Sequence, residues 1–283
     1  MTPMTVSEPE AVWPLRAILG EGPVWAQGEE ALYFVDIKGQ RLHRYAPRTG
    51  DRTSWVADEP IGCVAPPDAS GMLLAATRSG FAWLQPAADG TLARKPAASP
   101  EAATLPGNRF NDGKLAPDGS FWAGTLDESE QVACGAWWRF DPATLATVQL
   151  DTGYMVTNGP AFDFERSRVY LTDSARQCVF VADWIAGAGF KNKRIFAQFG
   201  QGDGYPDGMQ VHADGSLWIA FWDGACLRRL APDGTLVQTI TLPVTRPTSL
   251  AFTSDFARAF VTSASIDLEG PREGALLSFQ IEC

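Results

Sequence analysis

Four oxygen-bearing side chains stand directly before a glycine at widely separated points of the chain: Glu21, Asp112, Asn158 and Asp207. Carboxylate and amide oxygens are hard ligands, the kind that bind divalent cations such as Ca²⁺, Mg²⁺ or Mn²⁺. The same positions also have a purely structural interpretation, because Asp-Gly and Asn-Gly pairs are common in tight turns. Glu21 weakens that interpretation, since glutamate is a poor turn former. The four residues therefore predict an oxygen-rich site, provided that the fold brings them together.

Each of these residues begins the same local pattern, in which a short apolar run, a turn and an aromatic-rich strand follow one another. After Asp112 the turn lies at residues 117–119 and the strand at 121–124. Asp207 is followed by the same order, with its turn at residues 213–215. A turn of the Asp-Gly type between two apolar runs is typical of a β-hairpin. The repeated unit is therefore a hairpin that starts at the oxygen-bearing residue.

Weaker copies of the pattern complete a set of six, which start at residues 21, 63, 112, 158, 207 and 248. Units of this length, each with room for four short strands, predict an all-β fold, a six-bladed β-propeller. In a propeller the innermost strands of all blades line one central channel. The repeat thus places the oxygen-bearing residues in that channel, where a metal site is expected.

Composition agrees with one large all-β domain. The 283 residues include 10 Trp, 16 Phe, 27 Gly and 20 Pro, which suits many short strands joined by tight turns. Four tryptophans are predicted to pack in the core or the blades: Trp25, Trp122, Trp218 and Trp222. The segment 86–106 is rich in Ala and Pro and is predicted to be irregular. We expect a single domain over residues 1–283, with a flexible polar N-terminus at 1–11. Residues 12–18 are apolar enough for a strand, and we expect it to pair with residues 275–279 and close the ring of blades.

The net charge and the search for targeting signals limit the kinds of binding partner that the sequence predicts. A net charge of −10 disfavours nucleic-acid binding, which normally needs a basic face. No signal peptide and no apolar run long enough for a membrane span are evident. No CxxC pair occurs among the cysteines, which indicates reduced, mostly buried residues of a cytoplasmic protein: Cys63, Cys134, Cys178, Cys226 and Cys283. His43 and His212 lie outside the repeated positions and are predicted to be surface residues, which disfavours a Ser-His-Asp hydrolase.

Residues 108–114 read Asn-Arg-Phe-Asn-Asp-Gly-Lys and form the richest motif of the chain. Together with four further segments, this motif resembles the senescence marker protein, regucalcin and gluconolactonase family of sugar lactonases. The further segments are Gly-Glu-Gly-Pro-Val-Trp at 20–25, Ala-Gly-Thr-Leu at 123–126, Thr-Asn-Gly-Pro at 157–160 and Tyr-Pro-Asp-Gly at 205–208. The resemblance runs in one order over nearly the whole chain.

This resemblance implies roles for particular residues. Glu21, Asn158 and Asp207 match the three protein ligands of one divalent metal ion, and Arg109 and Asn111 match residues that hold the sugar lactone. Arg109 as a plain surface arginine and Asn111 as a turn residue are the structural alternatives. The resemblance also implies a small-molecule sugar lactone as the partner.

A further acidic substrate contact of the family falls on Ser129 if no gap is allowed. Asp127 or Glu128 could serve instead, and we take Glu128 as the candidate. Asp112 is predicted to cap its local turn, and we leave it out of the metal ligands.

The ligand set of two carboxylates and one amide oxygen suits Ca²⁺, Zn²⁺, Mg²⁺, Mn²⁺ or Fe²⁺. Three protein ligands leave positions for water and a lactone carbonyl, as in catalytic sites. Asp207 is the candidate general base, with Glu21 as the second choice.

The sequence therefore predicts a metal-dependent hydrolase that opens an aldonic acid lactone such as glucono-, xylono-, galactono- or arabinonolactone. The alternative is a non-catalytic calcium- or ligand-binding propeller. We expect a monomer or a weak homo-oligomer, with no nucleic-acid or membrane partner.

Overall fold

Short runs rich in aromatic and β-branched residues, separated by Gly and Asp turns, form β-strands almost throughout the chain. The computed structural model describes residues 1–282, and its strands build six antiparallel sheets. The only helical element in this range is one 3₁₀ turn at Gln27–Glu29. The predicted all-β, six-bladed β-propeller is confirmed.

Two short strands, β1 (Thr5–Val6) and β2 (Glu10–Trp13), precede the first sheet. Blade one contains β3 (Gly20–Ala26), β4 (Ala31–Asp36), β5 (Arg41–Ala46) and β6 (Asp51–Val56), and blade two contains β7 (Ile61–Val64), β8 (Leu73–Thr77), β9 (Gly80–Pro86) and β10 (Leu92–Ala98). Blade three contains β11 (Asn108–Leu115), β12 (Phe121–Asp127), β13 (Gly135–Phe140) and β14 (Thr147–Tyr154), and blade four contains β15 (Thr157–Asp163), β16 (Arg168–Asp173), β17 (Cys178–Ile185) and β18 (Gly189–Gln198). Blade five contains β19 (Tyr205–Val211), β20 (Leu217–Trp222), β21 (Cys226–Leu230) and β22 (Leu236–Thr241), and blade six contains β23 (Pro247–Phe252), β24 (Arg258–Ser263) and β25 (Leu276–Glu282).

The first strand of each blade lies innermost. These strands contact one another in chain order, and β23 of the last blade contacts β3 of the first, so the ring is closed. All six predicted starting positions fall in these innermost strands. Residues that are far apart in sequence therefore meet along one channel.

A break in strand register marks every innermost strand at the predicted position. In β3 the pairing with β4 shifts between Glu21 and Val24, and in β15 it shifts between Asn158 and Ala161. The same interruption occurs in β7, β11, β19 and β23. An extra residue in one strand bends it and redirects side chains. The bulges require glycine after the oxygen-bearing residue for two reasons: Gly22 and Gly159 have positive φ values of 53° and 88°, and at Gly208 a Cβ would collide with Ser249.

The two hairpins that the sequence repeats most closely also share their turn chemistry. Asp118 Oδ1 accepts hydrogen bonds from the backbone N–H and the hydroxyl of Ser120, at 3.0 and 2.6 Å. Ser120 Oγ in turn accepts a bond from the indole N–H of Trp122 at 3.0 Å. The second hairpin repeats these contacts with Asp214, Ser216 and Trp218. The turn thus fixes the buried tryptophan that follows it.

Those tryptophans join neighbouring blades. Trp122 meets Phe162 of blade four edge to face with ring centroids 5.2 Å apart, and Trp218 meets Phe252 of blade six at 5.4 Å. Both indoles are fully buried. Large aromatic side chains contribute most of the apolar contact between blades, as predicted for them.

The ring is closed by pairing between the two ends of the chain. Strand β2 pairs with β25, with Ala11 opposite Leu277. This confirms the predicted closing strand, although it begins at Glu10 and ends at Trp13. β1 also pairs with β25. The structure therefore places Thr5–Val6 in a sheet, which differs from the flexible N-terminus that the polar composition predicts.

Two other features differ from the sequence-based predictions. Both histidines are buried rather than on the surface, because His43 packs against Phe34 and Trp13, while His212 packs against Phe252. Within the segment 86–106, rich in Ala and Pro and predicted to be irregular, Leu92–Ala98 form the outer strand of blade two. Three of the cysteines are buried and Cys134 is half-buried, whereas Cys283 lies outside the described residues. Over residues 1–282, no helix has the length and apolar character that crossing a bilayer requires.

Candidate functional site

A cavity of about 430 Å³ opens at the channel end where the innermost strands begin. Its lining includes all three predicted metal ligands and both predicted lactone-binding residues, and these are Glu21, Asn158, Asp207, Arg109 and Asn111. All five side chains are buried. The structure therefore brings together residues from blades one, three, four and five, as the repeat predicts.

Glu21 and Asp207 are neighbouring buried carboxyl groups in the lining of this cavity. Burial, and next the Asp112 carboxylate, raise the pKa of Glu21 to about 8. Burial likewise raises the pKa of Asp207 well above its ordinary value, and the neighbouring Glu21 adds to the rise. Asp207 Oδ1 has no hydrogen-bond partner within residues 1–282. A buried, oxygen-rich cluster of acids of this kind favours the binding of a positive charge.

Asp112 is buried beside this pair but has a structural function. Its Oδ1 accepts a hydrogen bond from the N–H of Gly113 at 2.7 Å, and its Oδ2 accepts one from Gly159 of the next blade at 2.9 Å. Burial raises the pKa of Asp112 to about 6, although the Lys114 ammonium opposes the rise. Asp112 thus caps its own bulge, as predicted, and ties β11 to β15.

Hydrogen bonds hold the side-chain amide of Asn158 in one orientation. Its Nδ2 donates to Ser174 Oγ at 2.8 Å, and Ser174 donates to the Pro206 carbonyl at 2.6 Å. The Asn158 Oδ1 accepts from Asn111 Nδ2 at 3.0 Å. With its nitrogen engaged by Ser174, the amide keeps its oxygen toward the cavity. Asp173, the last residue of β16, accepts a hydrogen bond from the N–H of Met155 at 3.1 Å.

Arg109 and Asn111 form a connected pair on blade three. Arg109 Nη1 donates to Asn111 Oδ1 at 2.7 Å, and Asn111 Nδ2 donates to the Thr157 carbonyl at 2.8 Å. Burial lowers the pKa of Arg109, with Glu128 and next Glu130 acting in the opposite direction. The Arg109 Nε has no hydrogen-bond partner in the part of the chain described. Neither residue is the exposed arginine or the turn asparagine of the alternative interpretations.

The predicted contact Glu128 does not line the cavity. It forms ion pairs with Arg78 and, at 3.7 Å, with Lys38. Glu130 lines the cavity in its place. The cause is the tight loop after β12, in which Asp127 accepts the backbone N–H of Gln131 at 3.0 Å and the chain turns back. The run of acids at 127–130 was visible in the sequence, but the path of this loop was not.

Several lining residues carried no signal in the sequence. Ser174 lies just after β16, and the wall above the ligands is built by apolar and aromatic side chains: Leu19, Leu126, Val156, Ala175, Tyr205 and Trp222. Trp222 was predicted to pack within a blade, but it faces the cavity. Strand-end residues of this kind are placed by the turns between strands, so hairpin periodicity does not reveal them.

The donor set fits a hard divalent cation. Within residues 1–282 no three His, Cys, Asp or Glu side chains form a metal-binding group, so the set depends on the amide oxygen of Asn158. Glu21 and Asp207 supply two carboxylates, and the unpartnered Asp207 Oδ1 is the buried oxygen that a cation would satisfy. A bound cation would also favour the charged forms of both carboxyl groups, whose pKa values are raised first by burial and next by neighbouring carboxylates.

This chain is similar to known proteins over most of its length. The model of the SMP-30/gluconolactonase/LRE-like region matches residues 19–265. A 6-deoxy-6-sulfogluconolactonase of Pseudomonas putida is 34% identical over 250 residues, covering 88% of this chain and 84% of the relative. An L-arabinolactonase of Azospirillum brasilense is 33% identical over 256 residues, covering 89% and 83%.

The fold is also similar to that of a calcium-binding protein, regucalcin, from Agrobacterium tumefaciens. The TM-score is 0.90 at 22% identity, with 99% of this chain and 96% of that chain covered. Residues 19–265, the range that the family model matches, include every innermost strand and all five buried lining residues predicted from the sequence. The chain therefore belongs to the SMP-30/gluconolactonase/LRE-like family.

Proposed function

We propose that this protein is a sugar lactonase, which hydrolyses the lactone of an aldonic acid with one divalent cation held by Glu21, Asn158 and Asp207. The observation that carries the proposal is the unpartnered, buried Asp207 Oδ1 beside the Glu21 carboxyl group, in a cavity large enough for a small sugar. The cation is Ca²⁺, Zn²⁺, Mg²⁺, Mn²⁺ or Fe²⁺. Glucono-, xylono-, galactono- and arabinonolactone are the candidate substrates.

A bound divalent cation supplies Lewis-acid polarisation of the lactone carbonyl and makes water more acidic. Asp207 accepts the proton of the attacking water on the carboxylate oxygen that does not bind the cation, because its buried side chain lines the cavity beside the proposed cation site. Glu21 is the alternative base. The water oxygen forms a bond with the carbonyl carbon, and the bond from that carbon to the ring oxygen breaks. The proton held by Asp207 then passes to the ring oxygen, which becomes the new hydroxyl group.

Arg109, Asn111 and Glu130 orient the substrate in this proposal. The guanidinium of Arg109 is held by Asn111, so its remaining donors have a fixed direction for lactone hydroxyls. Glu130 takes the acceptor position that the sequence suggested for Glu128, since it is the acid of this loop that lines the cavity. Fixed donors and acceptors lower the entropy cost of holding the reactive geometry.

The names of the two relatives support a substrate of this class. Both are named as lactonases, one of a six-carbon sulfonated sugar and one of arabinose. For this chain we propose action in the cytoplasm as a monomer or weak homo-oligomer, with a free sugar lactone as its partner.

The second candidate function is cation binding without turnover. It is favoured by the similar fold of a protein titled calcium-binding and by the depth at which the carboxylates lie. Both functions need the same cation, so occupancy alone does not distinguish them.

Turnover distinguishes the two candidates. The purified protein is loaded in turn with Ca²⁺, Zn²⁺, Mn²⁺ or Mg²⁺, and acid release from the four lactones is followed at constant pH. We expect hydrolysis of at least one lactone above the spontaneous rate, with loss of activity after chelation and recovery on adding the cation back. Cation binding with no acceleration of any lactone would contradict the lactonase proposal and support the binding function.

A further inference from the structure

The cavity has a polar part and an apolar part, which come from different blades. Blade three supplies Arg109, Asn111 and Glu130, whereas blades four and five supply an uncharged wall beyond their ligand residues. That wall consists of Val156, Ala175, Tyr205 and Trp222. Sugar-binding hydroxyl contacts are thus concentrated at blade three. The less polar face of the sugar ring would instead contact the wall of blades four and five.

Trp222 is the largest side chain of the uncharged wall, and it is held rigidly. It is the last residue of β20 and lies opposite Tyr205 in the register with β19. The Arg246 guanidinium carbon lies 4.7 Å from the centroid of the Trp222 ring. Trp222 lines the cavity whereas Arg246 does not, so the guanidinium and the cavity contact different parts of the indole surface.

Arg246 itself is anchored on both sides. Its Nε donates to Asp223 Oδ1 at 2.6 Å, and its Nη1 donates to the Ile266 carbonyl at 2.6 Å. A cation fixed over an aromatic face contributes a favourable cation–π interaction. These two bonds direct Nε and Nη1 of Arg246 toward Asp223 and Ile266, and Arg246 does not line the cavity.

The charges that remain around the cavity are mostly negative. The acids in the lining are Glu21, Asp207 and Glu130, and Arg109 is the one cationic side chain among the described lining residues. A cation at the predicted ligands would offset the first two acids, and Asn111 already engages one Arg109 nitrogen. A phosphate or sulfonate that met the wall of blades four and five would lose its hydration without gaining a cationic partner, since Arg109 lies on blade three.

We propose that Trp222 is a specificity-determining platform that stacks on the C–H face of an uncharged sugar lactone. The inference rests on the proposed function and narrows its substrate to neutral lactones, with phosphorylated and sulfonated lactones disfavoured. The physical basis is the negative face of the indole, which attracts the slightly positive hydrogens on ring carbons that carry oxygen. Tyr205 extends this surface toward the mouth of the cavity, where it is 43% exposed.

Steady-state kinetics of the cation-loaded protein and two variants test the platform. The substrates are glucono-1,5-lactone and its 6-phosphate, and the variants are Trp222→Phe and Trp222→Ala. For the wild-type protein we expect kcat/KM to be about 100-fold lower with the phosphorylated lactone. Trp222→Ala is expected to raise KM for the neutral lactone about tenfold while kcat stays within about twofold, since it removes a binding surface and no reacting group. Trp222→Phe should keep most of the affinity because it retains an aromatic face.

A binding measurement separates the platform from a purely structural function. The non-hydrolysable ring analogue 1,5-anhydroglucitol is used as a competitive inhibitor, and its inhibition constant should rise in parallel with KM in Trp222→Ala. Trp222→Leu serves as a second apolar variant if the alanine variant does not fold. Unchanged KM and inhibition constants in the folded variants, or equal use of the 6-phosphate by the wild type, would overturn the platform while leaving lactonase activity intact. If no lactone is hydrolysed at all, the proposed function itself fails, and this inference fails with it.

Discussion

Three buried carboxyl groups decide the chemistry at the scale of single residues. Glu21, Asp112 and Asp207 share one end of the channel, and burial raises the pKa of each. Asp112 satisfies both of its oxygens with backbone N–H groups, whereas Asp207 keeps one oxygen free. This difference distinguishes Asp112, which has a structural function, from Asp207, which we propose to bind the cation. A cation, once bound, would replace protons as the partner of the functional pair.

Replacing Asp207 by Asn is expected to abolish cation-dependent hydrolysis and to leave the fold intact. The change removes a ligand and the proposed base, so kcat/KM should fall by at least about 100-fold at saturating cation. It also removes one of three mutually repelling groups, so the melting temperature of the cation-free protein should be unchanged or higher. The measurements are steady-state kinetics, metal content and thermal unfolding.

Asp203→Asn provides the matched control, since Asp203 lies in the turn before β19 and pairs with Arg228 rather than with the site. This variant should retain wild-type activity. If Asp207→Asn kept kcat/KM within about threefold of the wild type, Asp207 would have no part in the mechanism.

The sequence predicted the channel residues well but not the wall around them. Glu21, Asn158 and Asp207 each precede a glycine that a bulge requires, so a local pattern marked them. Glu130 and Trp222 have no such mark, because loops and strand ends determine where they point. Their positions follow from the path of the chain between hairpins, which local spacing does not specify.

At the scale of strands, the site depends on hydrogen bonds between neighbouring blades. Ser174 follows β16 and bridges the amide of Asn158 to the carbonyl of Pro206 in β19. Asn111 connects β11 to β15 in the same manner. The innermost strands thus hold one another's ligands in place. The orientation of a ligand side chain therefore depends on hydrogen bonds from a neighbouring blade as well as on its own strand.

Ser174→Ala is expected to weaken cation binding about tenfold, because the Asn158 amide loses the acceptor that fixes its orientation. The measurement is a titration of the chelator-treated protein with Ca²⁺ and Mn²⁺. Ser216→Ala is a matched control: this buried serine accepts a hydrogen bond from Trp218 in an outer turn. It should lower stability without changing cation affinity. Equal cation affinity in Ser174→Ala and the wild type would contradict the positioning function of Ser174.

A buried histidine, His43, lies in strand β5. Burial lowers the pKa of His43 from 6.5 to about 4, and its Nδ1 pairs with Ser54 Oγ at 2.8 Å. Between these two pH values the unfolded chain binds more protons than the folded one. The contribution of the neutral imidazole to stability is therefore fully present above about pH 6.5 and is lost as the pH falls toward 4.

We expect His43→Phe to reduce the acid sensitivity of the fold. Between pH 7 and 4.5, the free energy of unfolding of the wild type should fall by about 2 kcal/mol more than that of the variant. Urea unfolding at several pH values measures the difference, and the two proteins should show parallel curves above pH 7. Identical acid dependence would show that His43 is not the responsible group.

Strand patterns were the most predictable part of the structure, with one instructive exception. The hairpins with Pro-Asp-Gly or Ala-Asp-Gly turns were predicted because their turn chemistry is explicit. Strand β10 was missed because Leu92–Ala98 contains Arg, Lys and Pro and alternates weakly. Proline is tolerated there since β10 is the outer, edge strand of its blade. The pairing with strand β9, rather than the composition of β10, determines the conformation of β10.

At the scale of the whole molecule, closure of the ring is what brings Glu21 next to Asp207. Strands β1 and β2 complete the outer side of blade six by pairing with β25, and Trp13 of β2 packs on blade one. Its ring centroid lies 5.7 Å from that of Phe34 and 5.3 Å from that of His43. The sequence predicted this closure from apolar runs at both ends. One aromatic side chain therefore couples the first blade to the last.

Trp13→Ala is expected to lower the free energy of unfolding by about 2 kcal/mol, below the full cost for a core tryptophan because Trp13 is half-buried. Unfolding should remain a single transition, since both end blades lose the same contact. Urea unfolding followed by far-ultraviolet circular dichroism measures the effect. Ile18→Ala, at a 43% exposed position nearby, should cost far less. A loss no greater than that of Ile18→Ala would show that Trp13 does not couple the blades.

The pairing of the two chain ends also determines when the propeller can close during protein synthesis. Ser7 Oγ accepts a hydrogen bond from the backbone N–H of Gln280, 273 residues further along. At ordinary translation rates the first strands wait for their partner on the order of tens of seconds. The earlier blades are complete in the emerging polypeptide, but the sixth has to remain open until the ribosome has made β25. Full assembly of the propeller therefore waits until β25 has been synthesised and can pair with β1 and β2.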